Sequence, residues 1–475
     1  MSAAAALVVA TALAGCGSTT YFAGRALPPS GLRNRVLITV QNANSSGAGA
    51  AGFVDAYYDI RYVFNSTNTA PAFSIAAFGG KTPTTIQNMP EEQVGAVYGS
   101  EDGSLTLVNY ATESASGGAV NNLNGLSSSI FISRNLTYVV AANQASRVLT
   151  VINRVTGSSI PLSLPGVYRV SMNPGGSVAL AFVQNSNFMY YPMQLSAAQS
   201  ITYSGGSSSW PTAAVDCEPF NAPKWCLFQA LDPKTGNPLT FDRPVKAVFS
   251  ADGGTAYILS CGPECGGTTA SITSVPVAPM IFLLGQQSGT LPTQSAISSS
   301  TLPIPGGASN ALIDNETMYV VGQEQMPDGY WGGHLTTVNL STNTISTPAV
   351  SISDGAPGAV SKIQEADDNT LWIGLTKCTN GERYNNPTLY PSGYGCLTMV
   401  NTSTGKVTTL PYIGDATGIA GITGLHKVYT VEGGQVYIYS TVDGSAKDNQ
   451  YVTVTGTAYD VAYMDGLTDG NNTTY

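Results

Sequence analysis

The feature that most constrains the fold of this chain is a unit of short strand-like segments that recurs along it. One copy reads "SRNLTYVVAANQASRVLTVINRVTGSSIPL" from Ser133, and a second reads "IDNETMYVVGQEQMPDGYWGGHLTTVNLSTNTISTP" from Ile313. A third copy opens with "ADDNTLWIGLTKC" at Ala366. In each copy a polar turn precedes a strand rich in β-branched and aromatic residues, and a variable gap and a second strand follow. A tight turn and a last strand end the copy.

A further short strand precedes each polar turn, so that the unit has four strands and recurs about every 40 to 60 residues. We therefore predict an all-β fold, a single β-propeller of four-stranded blades, with eight blades as the main interpretation and seven as the alternative. Two β-sandwiches fit less well, because the repeats are evenly spaced and no linker separates two halves. Seven blades are predicted to begin near Lys81, Ser127, Val167, Pro244, Gly306, Gly358 and Asp415.

The two ends of the repeat region predict how the ring closes. Before the first of these blades only three strands are found, in "RVLITVQN", "DAYYDIRYVF" and "PAFSIAAFGG", with "NANSSGAGAAG" as a loop. After the last blade one strand is left over, in "AYDVAYMDG" from Ala458. We predict that this C-terminal strand becomes the innermost strand of the N-terminal blade, because such closure removes an open sheet edge.

One repeat carries a family resemblance. "NLTYVVAANQASRVLTVINRVTG", from Asn135, resembles the YVTN-type β-propeller repeat of bacterial surface and secreted proteins, and the other units match it more weakly. The resemblance implies the propeller fold. It implies no particular activity, because proteins with this repeat share none.

The N-terminus resembles a bacterial lipoprotein signal. The apolar run Ala3 to Leu13 is about half as long as the ~20 residues that a membrane span needs. It ends in Leu13-Ala14-Gly15-Cys16, which resembles a lipobox, although no Lys or Arg precedes the run. We predict a signal peptide over 1–15, lipid attachment at Cys16, and a cell-envelope location on the periplasmic or cell-surface side. The predicted domains are then a tether over 16–35, the propeller over 36–466 with an insertion at about 205–243, and a tail over 467–475.

The cysteines agree with export to an oxidising compartment. Six remain besides Cys16, and they fall in three local pairs, which predicts the disulfides Cys217–Cys226, Cys261–Cys265 and Cys378–Cys396. Zinc is the rival interpretation, but the chain has only 2 histidines and no zinc-knuckle spacing. The net charge of −10 argues against nucleic acid as a partner.

The loops indicate where function lies. Turns between the first and second strands of a unit, and between the third and fourth, are short, whereas the gaps between the second and third strands are long. Alternate turns of a blade lie on opposite faces, so the long loops are predicted to share one face, where a rigid scaffold could present them for binding. The candidate ligand-binding residues come from two such loops: Asp328, Tyr330, Trp331, His334, Arg383, Tyr384, Tyr390 and Tyr394.

Two functions remain open from the sequence. The first is a non-catalytic, lipid-anchored binding protein for a carbohydrate, a peptide or an envelope protein, with the membrane as its other partner. The alternative is a hydrolase or lactonase of the propeller type, with a site at the mouth of the axis. No catalytic residues are predicted, because neither a nucleophile elbow nor a metal motif is present. No cofactor is expected, although carboxylates converging at the axis would hold calcium.

Overall fold

A computed structural model describes residues 26–42, 48–59, 73–120, 123–195, 214–218, 224–232, 237–281, 299–378, 395–452, 454 and 456–466. These residues form eight antiparallel sheets arranged as the blades of an eight-bladed β-propeller, with almost no helix. The all-β class and the eight-blade count are therefore confirmed. We number the blades from the N-terminus and the strands of each blade outward from the axis.

The first four blades contain the following strands. Blade 1 has β1 (Arg35–Gln41), β2 (Gly49–Asp55) and β3 (Phe73–Ser74), and it is completed by β33 (Thr457–Tyr463). Blade 2 has β4 (Pro83–Met89), β5 (Val94–Gly99), β6 (Ser104–Asn109) and β7 (Ser114–Val120). Blade 3 has β8 (Ser129–Ile132), β9 (Tyr138–Asn143), β10 (Val148–Asn153) and β11 (Ser158–Ser163). Blade 4 has β12 (Val167–Met172), β13 (Ala179–Val183), β14 (Met189–Leu195), β15 (Ala214–Glu218) and β16 (Lys224–Gln229).

The last four blades contain the remaining strands. Blade 5 has β17 (Pro244–Phe249), β18 (Thr255–Ser260), β19 (Ser271–Pro276) and β20 (Ser300–Pro303), with 3-10 turns at Gly262–Cys265 and Ala278–Met280. Blade 6 has β21 (Asn310–Asp314), β22 (Thr317–Gln325), β23 (Trp331–Asn339) and β24 (Thr344–Ile352). Blade 7 has β25 (Val360–Ala366), β26 (Thr370–Leu375), β27 (Leu397–Asn401) and β28 (Val407–Thr409). Blade 8 has β29 (Ala416–Ile422), β30 (Lys427–Glu432), β31 (Gln435–Ser440) and β32 (Ala446–Val452).

The ring closes as the sequence predicts. Strand β33 pairs antiparallel with β1, from Val36 opposite Tyr463 to Gln41 opposite Thr457, and it is the innermost strand of blade 1. The C-terminal strand therefore pairs with the N-terminal blade and leaves no unpaired inner edge at the junction.

One detail of the strand assignment was wrong, and the predicted insertion takes part in the sheet of blade 4. The third strand of blade 1 is Gly49–Asp55, which includes the Gly- and Ala-rich stretch assigned to a loop, whereas Ala56–Asp59 is a turn. Pairing with β1 keeps this weak strand former extended, so tertiary context overrides local propensity. The insertion near 205–243 also supplies strands: β16 pairs directly with β14, and β15 lies outside it as a fifth strand.

The core lies between blades. Apolar side chains from both faces of each sheet pack against the neighbouring sheets, and each apolar cluster contains residues of adjacent blades. Trp372 of blade 7, for example, is fully buried and stacks on Tyr439 of blade 8 with ring centroids 6.0 Å apart. Because each blade buries its faces against its neighbours, one toroid of this size does not need a single central core.

A buried charge cluster ties the two chain ends to blade 2, and we call it the clasp. The Arg35 guanidinium donates to the Asp465 carboxylate, with Nη2 2.6 Å from Oδ1, and to Glu113 Oε1 at 2.9 Å. It also donates to the Tyr110 carbonyl oxygen at 2.6 Å. Arg35 and Asp465 are almost completely buried, so the clasp compensates a buried cation with two carboxylates.

All three predicted disulfides are present: Cys217–Cys226, Cys261–Cys265 and Cys378–Cys396. Three disulfides indicate an oxidising, extracytoplasmic location. In the described part of the chain, no helix is long and apolar enough to cross a membrane.

Candidate functional site

The two faces of the ring differ in construction. One face carries the connections between blades and the loops between second and third strands, and we call it the elaborated face. The inner strand of each blade begins on this face. The opposite face, the plain face, carries short turns such as Glu316 between β21 and β22. Two of the disulfides and the predicted binding residues that the structure describes, Asp328, Tyr330, Trp331 and His334, belong to the elaborated face.

Blade 6 extends this face with a hairpin. Strands β22 and β23 are nine residues long and stay paired up to Gln325 and Trp331, so the segment predicted as a loop from 322 to 334 is mostly sheet. A five-residue turn joins them, closed by Met326 N donating to the Tyr330 oxygen at 2.8 Å. Gly332 and Gly333 lie in the extension, and Gly333 N donates to Asp354 Oδ1 at 3.2 Å. Pairing of the two strands therefore gives the projecting hairpin a defined conformation.

The candidate residues of this hairpin occupy different environments. Tyr330 is 40% exposed at the tip, and its backbone N–H donates to Asp328 Oδ1 at 3.0 Å. Trp331 is half-buried. The His334 side chain is only 12% exposed, and its Nδ1 lies 3.9 Å from Glu324 Oε2. Tyr330 is thus at the exposed tip, whereas His334 lies against Gly306, where an added Cβ would be 2.5 Å from the His334 Cβ.

The neighbouring loop of blade 7 is closed at its base. Cys378 lies just after β26 and Cys396 just before β27, with Cα atoms 5.5 Å apart. Closing a loop of this size contributes about 3 kcal/mol in the chain-entropy model. The predicted residues Arg383, Tyr384, Tyr390 and Tyr394 lie outside the described residues.

A second group of polar residues surrounds the axis, and sequence reasoning missed it. In every blade, one residue of the inner strand lies opposite an equivalent position of the second strand. In blade 5, for example, Lys246 pairs with Leu259, and in blade 7 Lys362 pairs with Gly374. In six blades a β-bulge lies immediately before this residue. We call the eight positions the axial ring: Asp460, Thr85, Ser129, Arg169, Lys246, Asn310, Lys362 and Gly418, in blade order.

The axial ring lies close to the elaborated face, because the inner strands begin there. Seven of its eight members are polar or charged, and three are cations against a single carboxylate. Thr85 and Arg169 are partly exposed, whereas Lys246, Lys362 and Asp460 are buried. A group of cations at the axis contrasts with the overall negative charge of the chain.

The positive charges of Lys362 and Lys246 are compensated in different ways. Lys362 Nζ donates to Asp460 Oδ1 across blade 8, where a Cβ on Gly418 would lie 2.9 Å from the same oxygen. Glycine at that position therefore leaves room for the pair. Lys246 Nζ donates instead to the neutral amide oxygen of Asn310 at 2.8 Å, and among the described residues no carboxylate forms an ion pair with it.

Burial and neighbouring charge act together on Lys246. Burial is the main cause that lowers the pKa of its ammonium to about 7, and the charges of Arg169 and Lys362 lower it further. Burial also raises the pKa of the Asp460 carboxyl, against the opposing effect of Lys362. Of the three cations in the ring, only Lys362 forms an ion pair with a carboxylate of the ring in the described part of the protein.

A buried carboxylate borders the ring. Glu264 lies in the 3-10 turn closed by Cys261–Cys265, and its oxygens accept hydrogen bonds from Gln323 N at 3.1 Å and Gly358 N at 2.8 Å. Burial raises the pKa of its carboxyl, while these backbone donors and the charge of Arg169 lower it. The disulfide loop of blade 5 is thus fastened to the two blades that follow.

The axial ring has three cations and one carboxylate, so its formal charge is positive. Within the described residues, no group of three or more His, Cys, Asp or Glu side chains could hold a metal ion. The ring has one carboxylate, so it does not offer the converging carboxylates that a calcium-dependent hydrolase would need. The signal for the ring was visible in the sequence as single Lys or Arg residues inside apolar strands, "VYRVSM", "PVKAVF" and "VSKIQEA".

Neither a protein-family model nor a curated protein matches the chain. Among solved structures, the chain is similar to dihydro-heme d1 dehydrogenase NirN in complex with DHE, with a TM-score of 0.50, 11% identity, and coverage of 91% of this chain and 75% of that chain. Apo AztD from Citrobacter koseri aligns with a TM-score of 0.49 and 10% identity, over 90% of this chain and 97% of that chain. At 11% identity, the likeness to NirN supports the propeller fold alone.

Proposed function

We propose that this protein is a lipid-anchored, extracytoplasmic binding protein that recognises a carbohydrate, a peptide or an envelope protein with its elaborated face. The observation that carries the proposal is the paired hairpin of blade 6, which projects aromatic side chains from a rigid sheet. Rigid aromatic side chains supply contact area at low conformational cost, which favours recognition. The YVTN-like repeat from Asn135 fits an exported surface protein.

The recognition surface is proposed to include the segments 322–334 of blade 6 and 378–396 of blade 7. Blades 6 and 7 are consecutive, and Ser353 after β24 bonds with Thr398 of β27 through hydroxyl oxygens 2.7 Å apart. The two extensions therefore arise from neighbouring sheets. The disulfide at the base of the second reduces the entropy that it loses on binding.

The test is the double substitution Trp331→Ala with Tyr384→Ala. Anchors of this type cost more than about 1 kcal/mol each when truncated, so we expect loss of ligand capture on a glycan array and in a pull-down from an envelope extract. The melting temperature should change little.

The matched control removes two aromatic rings from the plain face. Tyr57 and Tyr58 are 58% and 60% exposed, so Tyr57→Ala with Tyr58→Ala should leave capture intact. Equal capture by both double variants would refute the assignment of the recognition surface. Unfolding of the first variant would show that its aromatic residues belong to the core.

Lipid attachment is proposed at Cys16, which lies outside the described residues. The support is the Leu-Ala-Gly-Cys tetrad together with the disulfides, which fit an exported protein. Mass spectrometry of the membrane-extracted protein should find an acylated cysteine 16 at the mature N-terminus. A mature protein that begins at another residue would contradict the proposal.

A further inference from the structure

The axial ring concentrates more positive charge than its single carboxylate balances. Arg169, Lys246 and Lys362 occupy equivalent register positions in blades 4, 5 and 7, and only Lys362 has a carboxylate partner within the ring. Burying an ammonium without a counterion is costly, and removing such a charge by deprotonation is the usual response. A ligand that supplies the missing negative charge would bind where this cost is greatest.

The donors around Lys246 suit an oxyanion. The Arg169 guanidinium has a planar set of N–H groups that matches a carboxylate, and Lys246 supplies a point charge. Asn310 already accepts the Lys246 hydrogen bond through Oδ1, which leaves its amide nitrogen as a donor group. Thr85 adds a hydroxyl group at the same level of the ring, whereas the Ser129 hydroxyl already bonds to the backbone of Val170.

The axis also has space. A cavity of about 30 Å³ lies between the inner strands β4, β25, β29 and β33, and Lys362 and Gln364 line it. Its lining residues follow the ring positions along the inner strands toward the plain face, so the cavity lies beyond the ring beside Lys362, and neither Arg169 nor Lys246 lines it. The partly exposed side chains of Thr85 and Arg169 mark where the ring meets solvent.

We propose that the axial ring is a binding site for a carboxylate, held by Arg169 and Lys246 at the mouth of the axis on the elaborated face. The carboxylate is either that of a small free acid or the terminal group of a larger ligand. The proposal does not depend on the hairpin of blade 6. If the Trp331→Ala experiment fails, the axial carboxylate site is unaffected. If the axial site is refuted, the recognition surface of blades 6 and 7 is likewise unaffected.

The experiment is a calorimetric titration of the full chain with formate at pH 6, where Lys246 is charged, and at constant ionic strength. Saturable binding is expected for the wild type, and Lys246→Met should weaken it by about tenfold or more, since a charge-assisted hydrogen bond is lost. The control Lys406→Met removes an exposed lysine from the plain face and should bind formate like the wild type. Absence of saturable binding in the wild type, or equal binding by Lys246→Met, would overturn the proposal.

A second titration identifies the source of the carboxylate. Acetyl-Gly-Gly with a free C-terminus is compared with the same peptide amidated. Tighter binding of the free acid than of formate supports a larger ligand that presents its carboxylate, whereas binding of formate alone supports a small acid.

A third measurement tests the proposal in case Lys246→Met does not fold. Crystals of the wild type soaked in bromide should show an anomalous peak beside Lys246 and Arg169. If Lys246→Met is unfolded, an axial ring without that peak overturns the proposal.

Discussion

Two buried cations on opposite faces of the ring are compensated in different ways. Arg35, in the clasp, is 3% exposed and contacts the carboxylates of Glu113 and Asp465. Lys246, in the axial ring, is 4% exposed and contacts the amide of Asn310. The degree of burial is the same, so the difference lies in the counterions that each site provides.

The comparison separates a charge that holds the fold from a charge that is available for binding. Arg35 reaches the segment after the closing strand and a turn of blade 2, so it joins parts of the chain that are far apart in sequence. Among the described residues, the Lys246 side chain bonds to Asn310 of the next blade along the chain. Breaking a buried pair leaves carboxylates without a partner, whereas removing a lone buried ammonium leaves nothing charged behind.

Substitution of Arg35 is expected to have the largest effect. Arg35→Met leaves the buried Asp465 and Glu113 without their cation, which costs about 3–5 kcal/mol in comparable buried pairs. Urea unfolding of the full chain measures the loss, and the exposed neighbour Arg33 provides the control as Arg33→Met. A loss no larger than that of the control would show that the clasp does not stabilise the closure.

The sequence was informative where a pattern repeats. Strand alternation and turn spacing predicted eight blades, and the leftover strand at Ala458 predicted the closure, because each depends on local periodicity. The local spacing of the cysteines likewise predicted all three pairings. Blade 1 was misread at Gly49–Asp55, where pairing with β1 extends a segment that has little intrinsic preference for a strand.

The axial ring shows why the rest could not be predicted. Arg169, Lys246 and Lys362 are separated by about 80 to 120 residues, and only the closed ring places them at one level. The pairing of Lys362 with Asp460 across Gly418 likewise depends on the order of the blades. Each lysine, seen alone in its strand, reads as an isolated polar residue in an apolar run.

The axial site gives the smaller effect, and the size of that effect depends on pH. The pKa of the Lys246 ammonium is about 7 in the folded protein, against 10.5 as its ordinary value. Above about pH 10.5 the Lys246 amine is neutral in both the folded and the unfolded protein, so its titration does not change the free energy of unfolding. As the pH falls toward 7 the unfolded chain takes up the proton first, so the folded wild type loses stability, and below about pH 7 the loss is constant.

Lys246→Met has no titrating group at this position. At pH 7 its free energy of unfolding should exceed that of the wild type, and this difference should shrink as the pH rises to 9. One proton accounts for at most about 1.4 kcal/mol per pH unit, so the margin should change by roughly 1–3 kcal/mol over this range. Urea unfolding at pH 7, 8 and 9 measures this difference, in a buffer without carboxylates because a bound anion would stabilise the wild type.

Other groups that titrate near pH 7, such as Glu365 and Glu432, are present in both proteins and cancel in the difference. Lys406→Met, which removes an exposed charge, should give a flat difference. A flat difference for Lys246→Met as well would mean that Lys246 keeps its ordinary pKa, and that the axial ring compensates this cation as fully as the clasp compensates Arg35.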